Sequence, residues 1–490
     1  MMMMHLARGS SPLALPSARS SSVALSRSAS SSSSMSMSSS MRMRRSKNSS
    51  SLRIARARDA TAGRFNTVVR ASSSPVEVKE KPAETKKTKA ATKKAEVAAP
   101  KRRRKRDMVK SFIKMRILDL ILLTVNDEKG MNKIAGRFPT KYQTTFIELF
   151  DSYRTQLAIK HGGDNEKALK EAVQIFKVLV RAYARQLDNP HEFASTHYSV
   201  RSPFDYYYMA QAYVGALIDY DRSIVGGIKN FDTAKAQIDA GENVVLFANH
   251  QSEADAAFLT LMTEESHPGF GYSCRYVAGD RVVNDLMAKP FSMGRNLFCI
   301  NSKKHINDVP ELRSAKMKQN IKTVKEMEQK LKEGGQLIWI APHGGRDRRA
   351  ADGTLVPGEF DKDAVALMTK LALKAGAGGT KTHFYPFSMA TYDLMPPPSG
   401  LEKSLGEKRV VNYTGCGIAL AEEIDLSPEA VKARAGAKAD LEKDELAVET
   451  AKQVYDAVCK LYTTIEGCTG TGSEFPLPEG AARPWKDATA

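Results

Sequence analysis

Two hydrophobic patterns divide the chain at about residue 200. Between 107 and 200, apolar residues such as Met108, Phe112 and Met115 recur every three or four positions, and the segment 168–184 repeats this spacing. Such spacing places apolar side chains on one face of a helix. Because the intervening loops are short, we predict a bundle of about four helices. The segment 206–208 and the apolar positions after it predict a further helix.

Short apolar runs replace this pattern after about residue 230, and each is typical of a buried strand. Amphipathic stretches separate the runs, the clearest extending from Pro310 to Glu333, with Gly334 and Gly335 as its stop signal. Strands that alternate with helices predict an α/β domain whose mixed, mostly parallel sheet is flanked by helices. The six predicted strands are Val244–Phe247, Arg275–Ala278, Leu297–Ile300, Gln336–Ala341, His383–Phe387 and Cys416–Leu420.

The N-terminal segment differs in composition from the rest of the chain. Residues 1–71 are rich in Ser, Arg, Met and Ala and hold a single acid, Asp59, which is typical of an organelle transit peptide. A mitochondrial address or a basic tail without an address remains open on composition alone. Residues 72–106 predict a disordered basic linker. We therefore predict four segments: 1–71, 72–106, a helical bundle domain at 107–200 and an α/β catalytic domain at 201–490.

The net charge of +19 lies almost entirely in this N-terminal segment. Residues 1–71 hold 12 Lys and Arg against one acid, and residues 72–106 hold 13 against four Glu, so that 107–490 has a net charge of −1. A nearly neutral body without a known nucleic-acid-binding module argues against a nucleic-acid partner.

The cysteine and histidine spacings exclude several site classes. Five scattered cysteines form no CxxC pair, so free thiols are expected rather than a disulfide framework. No zinc or other metal site is expected, because His191 and His197 lack the one-turn spacing of a metalloprotease pair. The apolar run 117–123 is too short for a membrane span, and Asp119 interrupts it.

A His-x4-Asp motif follows the first predicted strand. With His250 in a loop and Asp255 in the first turn of a helix, the carboxylate can accept the Nδ1 proton and leave Nε2 as a base. General-base assistance of this kind contributes ~10²–10⁴-fold to a rate. The alternative interpretation is a helix-capping Asp beside a core His.

Basic clusters follow three further strands, in the segments 278–295, 302–305 and 342–349. Because the strands are predicted to be parallel, these loops should converge at one edge of the sheet. Arg offers a planar fork for phosphate oxygens and Lys a compact charge. Together the clusters predict a phosphate site beside His250.

The four blocks, in this order, resemble the glycerolipid acyltransferases and, within them, the soluble glycerol-3-phosphate acyltransferases of plant plastids. The likeness extends from about 110 to the end, and SKKH and GGRDR are its most selective strings. The sequence departs from this family at two positions: His343 stands where a serine is usual, and Ala256 stands where a proline is usual. His343 is interpreted as either an extra hydrogen-bond donor at the phosphate site or a packing change. The strings are PFDYYYM, NHQSEAD, AGDRVVNDLMAKPFSMGRNL, SKKHIND, LIWIAPHGGRDR and YPFSMATYDLMPPP.

The resemblance implies acyl transfer from acyl carrier protein to the sn-1 hydroxyl of glycerol 3-phosphate, in the plastid stroma and without a cofactor. It implies that His250 is the base and Asp255 its orienting partner, with Arg295 as a looser substrate contact. Peripheral contact with the plastid envelope is a further expectation. The implied phosphate ligands are Lys304, His305, Arg346 and Arg348.

Three other functions remain open at this point. A 1-acylglycerol-3-phosphate acyltransferase would use the same dyad on an already acylated acceptor. A non-catalytic lipid or membrane scaffold could retain the fold. The overall positive charge, taken alone, favours a nucleic-acid-binding protein. Because acyl carrier protein is acidic, we also expect a basic patch that includes Lys289 and Lys303, and hence salt-sensitive association.

Overall fold

The computed structural model describes residues 105–303, 306–397, 409–436 and 441–487. The predicted transit peptide lies outside these residues, as does the predicted linker up to residue 104. Lys105 and Arg106, predicted as the end of the linker, form the first turn of a helix.

Four helices open the described chain, as the apolar spacing predicted. The Asp127 carboxylate caps the second helix by accepting from the Gly130 amide, and the Asp164 carboxylate caps the fourth by accepting from the amides of residues 166 and 167. These bonds satisfy N–H groups that have no partner within the helix. The helices are α1 (Lys105–Leu123), α2 (Glu128–Ala135), α3 (Thr140–Lys160) and α4 (Asn165–Asp188).

Aromatic side chains join α3 to α4. The Phe176 ring lies edge-on to Phe146 and Phe150, with centroids 5.5 Å and 5.0 Å away. These rings belong to a hydrophobic cluster that continues without interruption to the central sheet. The predicted boundary between a bundle domain and a catalytic domain at residue 200 stays a prediction.

Nine described strands form one mixed sheet in the order β1-β5-β4-β6-β3-β7-β8-β2-β9. The run from β5 to β7 is parallel, whereas β1, β9 and the β7–β8 pair are antiparallel. The strands are β1 (Thr196–His197), β2 (Ile224–Gly226), β3 (Asn243–Ala248), β4 (Arg275–Ala278), β5 (Asn296–Cys299), β6 (Leu337–Ile340), β7 (Thr382–Ala390), β8 (Gly417–Leu420) and β9 (Ala481–Ala482).

Helices cover both faces of this sheet. In β3, Val244 and Leu246 belong to the hydrophobic cluster on one face, and Val245 and Phe247 belong to the cluster on the other. Successive side chains of a strand point to opposite faces, so a strand covered on both sides is apolar throughout. This is why the central strands read as continuous hydrophobic runs. The predicted α/β fold with a mostly parallel mixed sheet is therefore confirmed.

The remaining helices connect the strands. The predicted helix from Pro310 begins as a short 3-10 turn and continues as α11. It ends at Gly334, whose φ of 78° favours glycine and where a Cβ would lie 2.3 Å from the Gly241 carbonyl oxygen. These helices are α5 (Tyr206–Gly215), α6 (Ile228–Asp239), α7 (Asp255–Thr263), α8 (Phe270–Ser273), α9 (Asp280–Asn284), α10 (Lys289–Met293), α11 (Arg313–Glu333), α12 (Lys362–Gly376), α13 (Pro428–Ala435), α14 (Lys443–Tyr462) and α15 (Pro484–Asp487).

All five cysteines are free thiols, four of them buried. Among the described helices, none combines the length and the apolar character that crossing a membrane requires.

Candidate active site

Four parallel strands end side by side at one edge of the sheet. β5, β4, β6 and β3 are consecutive neighbours and run in the same direction. The loops that follow them carry the His-x4-Asp motif and the three basic segments. The sheet therefore brings these loops to one edge, where open α/β sheets bind their ligands.

The His-x4-Asp motif forms a hydrogen-bonded pair. His250 lies in the loop after β3, Asp255 is the first residue of α7, and His250 Nδ1 lies 2.7 Å from Asp255 Oδ2. A carboxylate oxygen accepts, so the Nδ1 proton is held here and Nε2 is left as the acceptor. The imidazole is partly exposed and stands edge-on to the Trp339 ring at 5.7 Å.

The Asp255 carboxylate is fixed by three further donors. The amides of Gln251 and Ser252 donate to it at 2.7 Å and 3.1 Å, and the Thr391 hydroxyl donates at 2.6 Å. The side chain of Asp255 is only 2% exposed, so this network determines where the carboxylate points. Thr391 directly follows β7, and our sequence analysis did not identify it, although it lies in the string 385–398.

A second buried network holds the His250 loop. The side-chain NH₂ of Asn249 donates to Asp347 Oδ2 at 3.0 Å and to the Met389 carbonyl oxygen at 2.9 Å. The Asn249 side-chain oxygen accepts from Met389 N at 2.8 Å. The Asp347 amide donates to the His250 carbonyl oxygen at 2.6 Å, and Gly358 N donates to Asp347 Oδ1 at 2.8 Å. Burial raises the pKa of the Asp347 carboxyl, although the hydrogen bonds from Gly358 N and the Asn249 side chain oppose the shift. The loops after β3 and β6 are thereby held to each other and to the end of β7.

Arg346 belongs to an ionic cluster beside the dyad. Its Nη1 lies 3.7 Å from Glu253 Oε1, and Arg409 donates to both oxygens of Glu253 at 2.8 Å and 3.3 Å. Arg409 also lies 3.5 Å from Asp285. Burial alone would raise the pKa of Glu253, but the two arginines outweigh it and hold the pKa below its usual value. Glu253 and Arg409 were not identified from the sequence, and no local signal marks Arg409.

The other predicted phosphate ligands are described only in part. Arg348 has an exposed side chain two residues after Arg346, on the same loop. Lys304 and His305 lie outside the described residues, immediately after Lys303. The structure thus places two of the four predicted cations on the loop after β6, whose backbone contacts the His250 loop.

Arg295 is buried rather than open to a ligand. Its guanidinium donates to the Gln211 side chain and lies 5.1 Å from the centre of the Tyr207 ring. Gln211 in turn donates to the Ala257 carbonyl oxygen of α7 at 3.3 Å. Burial lowers the pKa of Arg295. These contacts link Arg295 to the helix that carries Asp255.

His343 packs against the loop that follows it. Its Nδ1 lies 3.1 Å from the Glu359 carbonyl oxygen, to which it donates, and a Cβ at Gly358 would meet the His343 ring at 2.6 Å. The ring fills the space left by Gly358, which agrees with a packing change at this position. Across the described ranges, no three His, Cys, Asp or Glu side chains are grouped so as to hold a metal ion.

The comparisons with known proteins agree with this geometry. A family model described as "Acyltransferase" matches residues 225–390, which run from β2 to the end of β7 and include both dyad residues and Arg346. A "Glycerol-3-phosphate acyltransferase, chloroplastic" of Arabidopsis thaliana is 43% identical over 294 residues, which are 60% of this chain. The match spans 63% of the Arabidopsis protein, slightly under two thirds of that protein's length. A chloroplastic glycerol-3-phosphate acyltransferase of Cucurbita moschata is 37% identical over 356 residues, 72% of this chain and 74% of that protein. The corresponding protein of Pisum sativum is 38% identical over 358 residues, with coverages of 72% and 75%.

Proposed function

Because the chain belongs to the family of chloroplastic glycerol-3-phosphate acyltransferases, we propose that it acylates glycerol 3-phosphate. The acyl group moves from acyl-acyl carrier protein to the sn-1 hydroxyl, giving 1-acylglycerol 3-phosphate and the free carrier thiol. The observation that carries this proposal is the 2.7 Å contact between His250 Nδ1 and Asp255 Oδ2, which leaves Nε2 as a base at the ligand-binding edge of the sheet.

The dyad supports direct transfer without an acyl-enzyme. His250 Nε2 takes the proton of the sn-1 hydroxyl as its oxygen forms a bond to the thioester carbonyl carbon. The tetrahedral intermediate then collapses, the carbon–sulfur bond breaks, and the imidazolium returns the proton to the leaving sulfur. Asp255 stabilises the imidazolium while it carries this proton, as in other His–Asp pairs.

The cations on the loop after β6 support phosphate binding. We propose that Arg346 and Arg348, together with Lys304 and His305, hold the phosphate of the acceptor. The 3.7 Å pair with Glu253 is loose, and Arg409 already satisfies both Glu253 oxygens, so Arg346 can turn to a phosphate without leaving Glu253 unpaired. Holding the phosphate fixes the hydroxyl beside His250, which is the proximity contribution to the rate.

An acidic carrier protein is the proposed acyl donor. Lys303 is 72% exposed and lies at the edge where the site forms, and its surface pair with Asp363 at 2.8 Å is weak enough to be exchanged. Lys289, at the start of α10, is partly buried, and burial lowers its pKa. Lys303 is therefore the better candidate for contact with the carrier.

The relatives' names also indicate where the protein acts. They are called chloroplastic, and we propose that this chain is targeted to the chloroplast by residues 1–71 and functions in the stroma. Peripheral contact with the envelope membrane belongs to the same proposal.

Product analysis tests the activity directly. The purified chain is given palmitoyl- or oleoyl-acyl carrier protein with either glycerol 3-phosphate or its 1-acyl derivative, and products are identified by mass spectrometry. We expect 1-acylglycerol 3-phosphate from the first acceptor, and a loss of at least 10²-fold in turnover for His250→Ala. His161→Ala, at the C-cap of α3 and outside the loops that form the site, is the matched control and should keep its activity.

Each other outcome contradicts a separate part of the proposal. Product from the acylated acceptor alone would assign the second acylation step. Near-normal turnover of His250→Ala would remove the base assignment. A folded chain that acylates neither acceptor would support a non-catalytic scaffold.

A further inference from the structure

The first helix exposes a long apolar face that no part of the catalytic proposal uses. Only Leu122 of α1 is fully buried. Seven large apolar side chains of the helix are each between 50% and 69% exposed. We call them the outer face of α1. They are Met108, Val109, Phe112, Ile113, Ile117, Leu120 and Leu123.

The outer face lies away from Leu118 and Leu122, which attach α1 to the core, although Arg116 and Asp119 fall within the same half of the helix. At 100° per residue its seven members fall within about half of the helix circumference, and from first to last they span about 22 Å. Leu122 and the partly buried Leu118 pack into the core, and Arg181 of α4 donates to Asp119 at 2.7 Å. Apolar residues therefore occupy both sides of this helix, although the described part of the chain covers only one of them. A cluster of exposed large apolar side chains of this kind is typical of an interaction site.

Basic residues lie within the outer face and beside it. The helix holds five Lys and Arg against two Asp, and Arg116 lies over the Phe112 ring at 5.3 Å. The sequence immediately before it adds four more cations at 101–104, whereas the body from 107 onwards has a net charge of −1. A run of six consecutive cations, 101–106, thus leads directly into this exposed and apolar helix. The basic residues of α1 are Lys105, Arg106, Lys110, Lys114 and Arg116.

We propose that the outer face of α1 binds the surface of an anionic lipid bilayer, lying in the plane of the interface. Exposed apolar side chains on a surface helix can insert at the headgroup boundary, and Lys and Arg among them attract anionic lipid. Protein interfaces, by contrast, are depleted in Lys near their apolar centre. This inference rests on the envelope contact proposed above and names its surface, but it does not depend on acyl transfer. If acyl transfer also holds, the reaction would release a single-chain amphiphile beside the bilayer that takes it up.

Vesicle flotation of the full-length chain tests this surface. The chain is mixed with vesicles of phosphatidylglycerol and phosphatidylcholine, or of phosphatidylcholine alone, and the bound fraction is measured. The combined variant Phe112→Ser, Ile117→Ser, Leu120→Ser should lower the partition coefficient at least tenfold. The matched control replaces three equally exposed apolar residues elsewhere and should stay within twofold of the parent. It is Val356→Ser, Leu373→Ser, Val448→Ser.

Charge substitutions separate the electrostatic contribution. Lys105→Gln, Arg106→Gln and Lys110→Gln should each lower binding to anionic vesicles about fivefold, because each cation near such a surface contributes ~1 kcal/mol. Together they should lower binding to anionic vesicles about 100-fold. Equal binding of the parent to both vesicle types would refute an anionic lipid as the ligand.

A local probe excludes a contribution from residues 1–104. Phe112→Trp places a fluorophore on the outer face, and the signal of the parent, which contains Trp339 and Trp485, is subtracted. We expect a blue shift with anionic vesicles and quenching by brominated acyl chains. An introduced tryptophan that is already shielded without vesicles would show that another part of the chain covers the face, and would overturn the proposal.

Two further outcomes would assign the face to a protein. If the parent were a dimer without lipid, and the triple serine variant a monomer, the occupant would be a second copy. If that variant lost affinity for acyl carrier protein but kept its affinity for vesicles, the occupant would be the carrier. Acyl transfer with soluble substrates should persist in all α1 variants, so failure of this proposal is distinguishable from failure of the proposed function.

Discussion

The Asp255→Asn substitution tests the dyad most directly, because it changes one charge and almost no volume. The carboxylate receives four hydrogen bonds, from His250, Gln251, Ser252 and Thr391. An amide has one accepting oxygen and a donating NH₂ group. If its oxygen keeps the bonds from Ser252 and Thr391, the NH₂ group faces His250 Nδ1 and the Gln251 amide.

Two consequences follow from this geometry. The imidazole must accept the amide proton at Nδ1, so Nε2 becomes protonated and can no longer act as a base. We expect kcat to fall by ~10³–10⁴-fold, at the upper end of general-base contributions, because the imidazolium also loses its counter-charge. The Gln251 N–H loses its acceptor in a buried position, which should lower the free energy of unfolding by ~1–3 kcal/mol.

The assay is steady-state formation of 1-acylglycerol 3-phosphate, with stability measured in parallel by urea unfolding. The KM for glycerol 3-phosphate should change little, because the phosphate ligands are untouched. Asp361→Asn is the matched control, because Asp361 caps α12, and asparagine caps a helix about as well as aspartate, so kcat and stability should both change little. A folded Asp255→Asn variant that keeps more than a tenth of kcat would refute the base assignment.

Three further predictions concern the phosphate site, the donor and stability. Arg346→Ala should raise the KM for glycerol 3-phosphate at least tenfold. The control Arg349→Ala, on the same loop but paired with Asp393 at 2.7 Å, should change this KM less than threefold. An unchanged KM in Arg346→Ala would remove that residue from the site. Raising the salt to ~0.15 M should lower kcat/KM for acyl carrier protein. The decrease should be smaller in Lys303→Gln than in the parent. A salt-independent kcat/KM of the parent would contradict a basic docking patch. Burial lowers the pKa of His197 to about 4 in the folded state from 6.5, so its contribution to stability is present above pH 6.5 and is lost as the pH falls towards 4. Between pH 7 and pH 5 the parent should therefore lose ~2 kcal/mol more in its free energy of unfolding than His197→Gln, and parallel urea-unfolding curves would contradict this.

The sequence determined the elements that have a strong local pattern. All six predicted strands are present within two or three residues of the predicted bounds, because strands covered on both faces must be apolar throughout. The stop of α11 at Gly334 was predictable because a positive φ favours glycine. The contact between His250 and Asp255 was predictable because the two residues are five apart and joined by one loop and one helical turn.

Tertiary structure alone decided the features that depend on distant pairs. β1, β2 and β9 have two or three residues each, too few for a periodic signal, and were not predicted. Thr391 contacts Asp255 across 136 residues and Arg409 contacts Glu253 across 156, because neighbouring strands end at one edge of the sheet regardless of their distance in sequence. The same holds for α1. Helical spacing predicts that it is a helix, but only its packing against α4 determines which of its apolar side chains remain exposed.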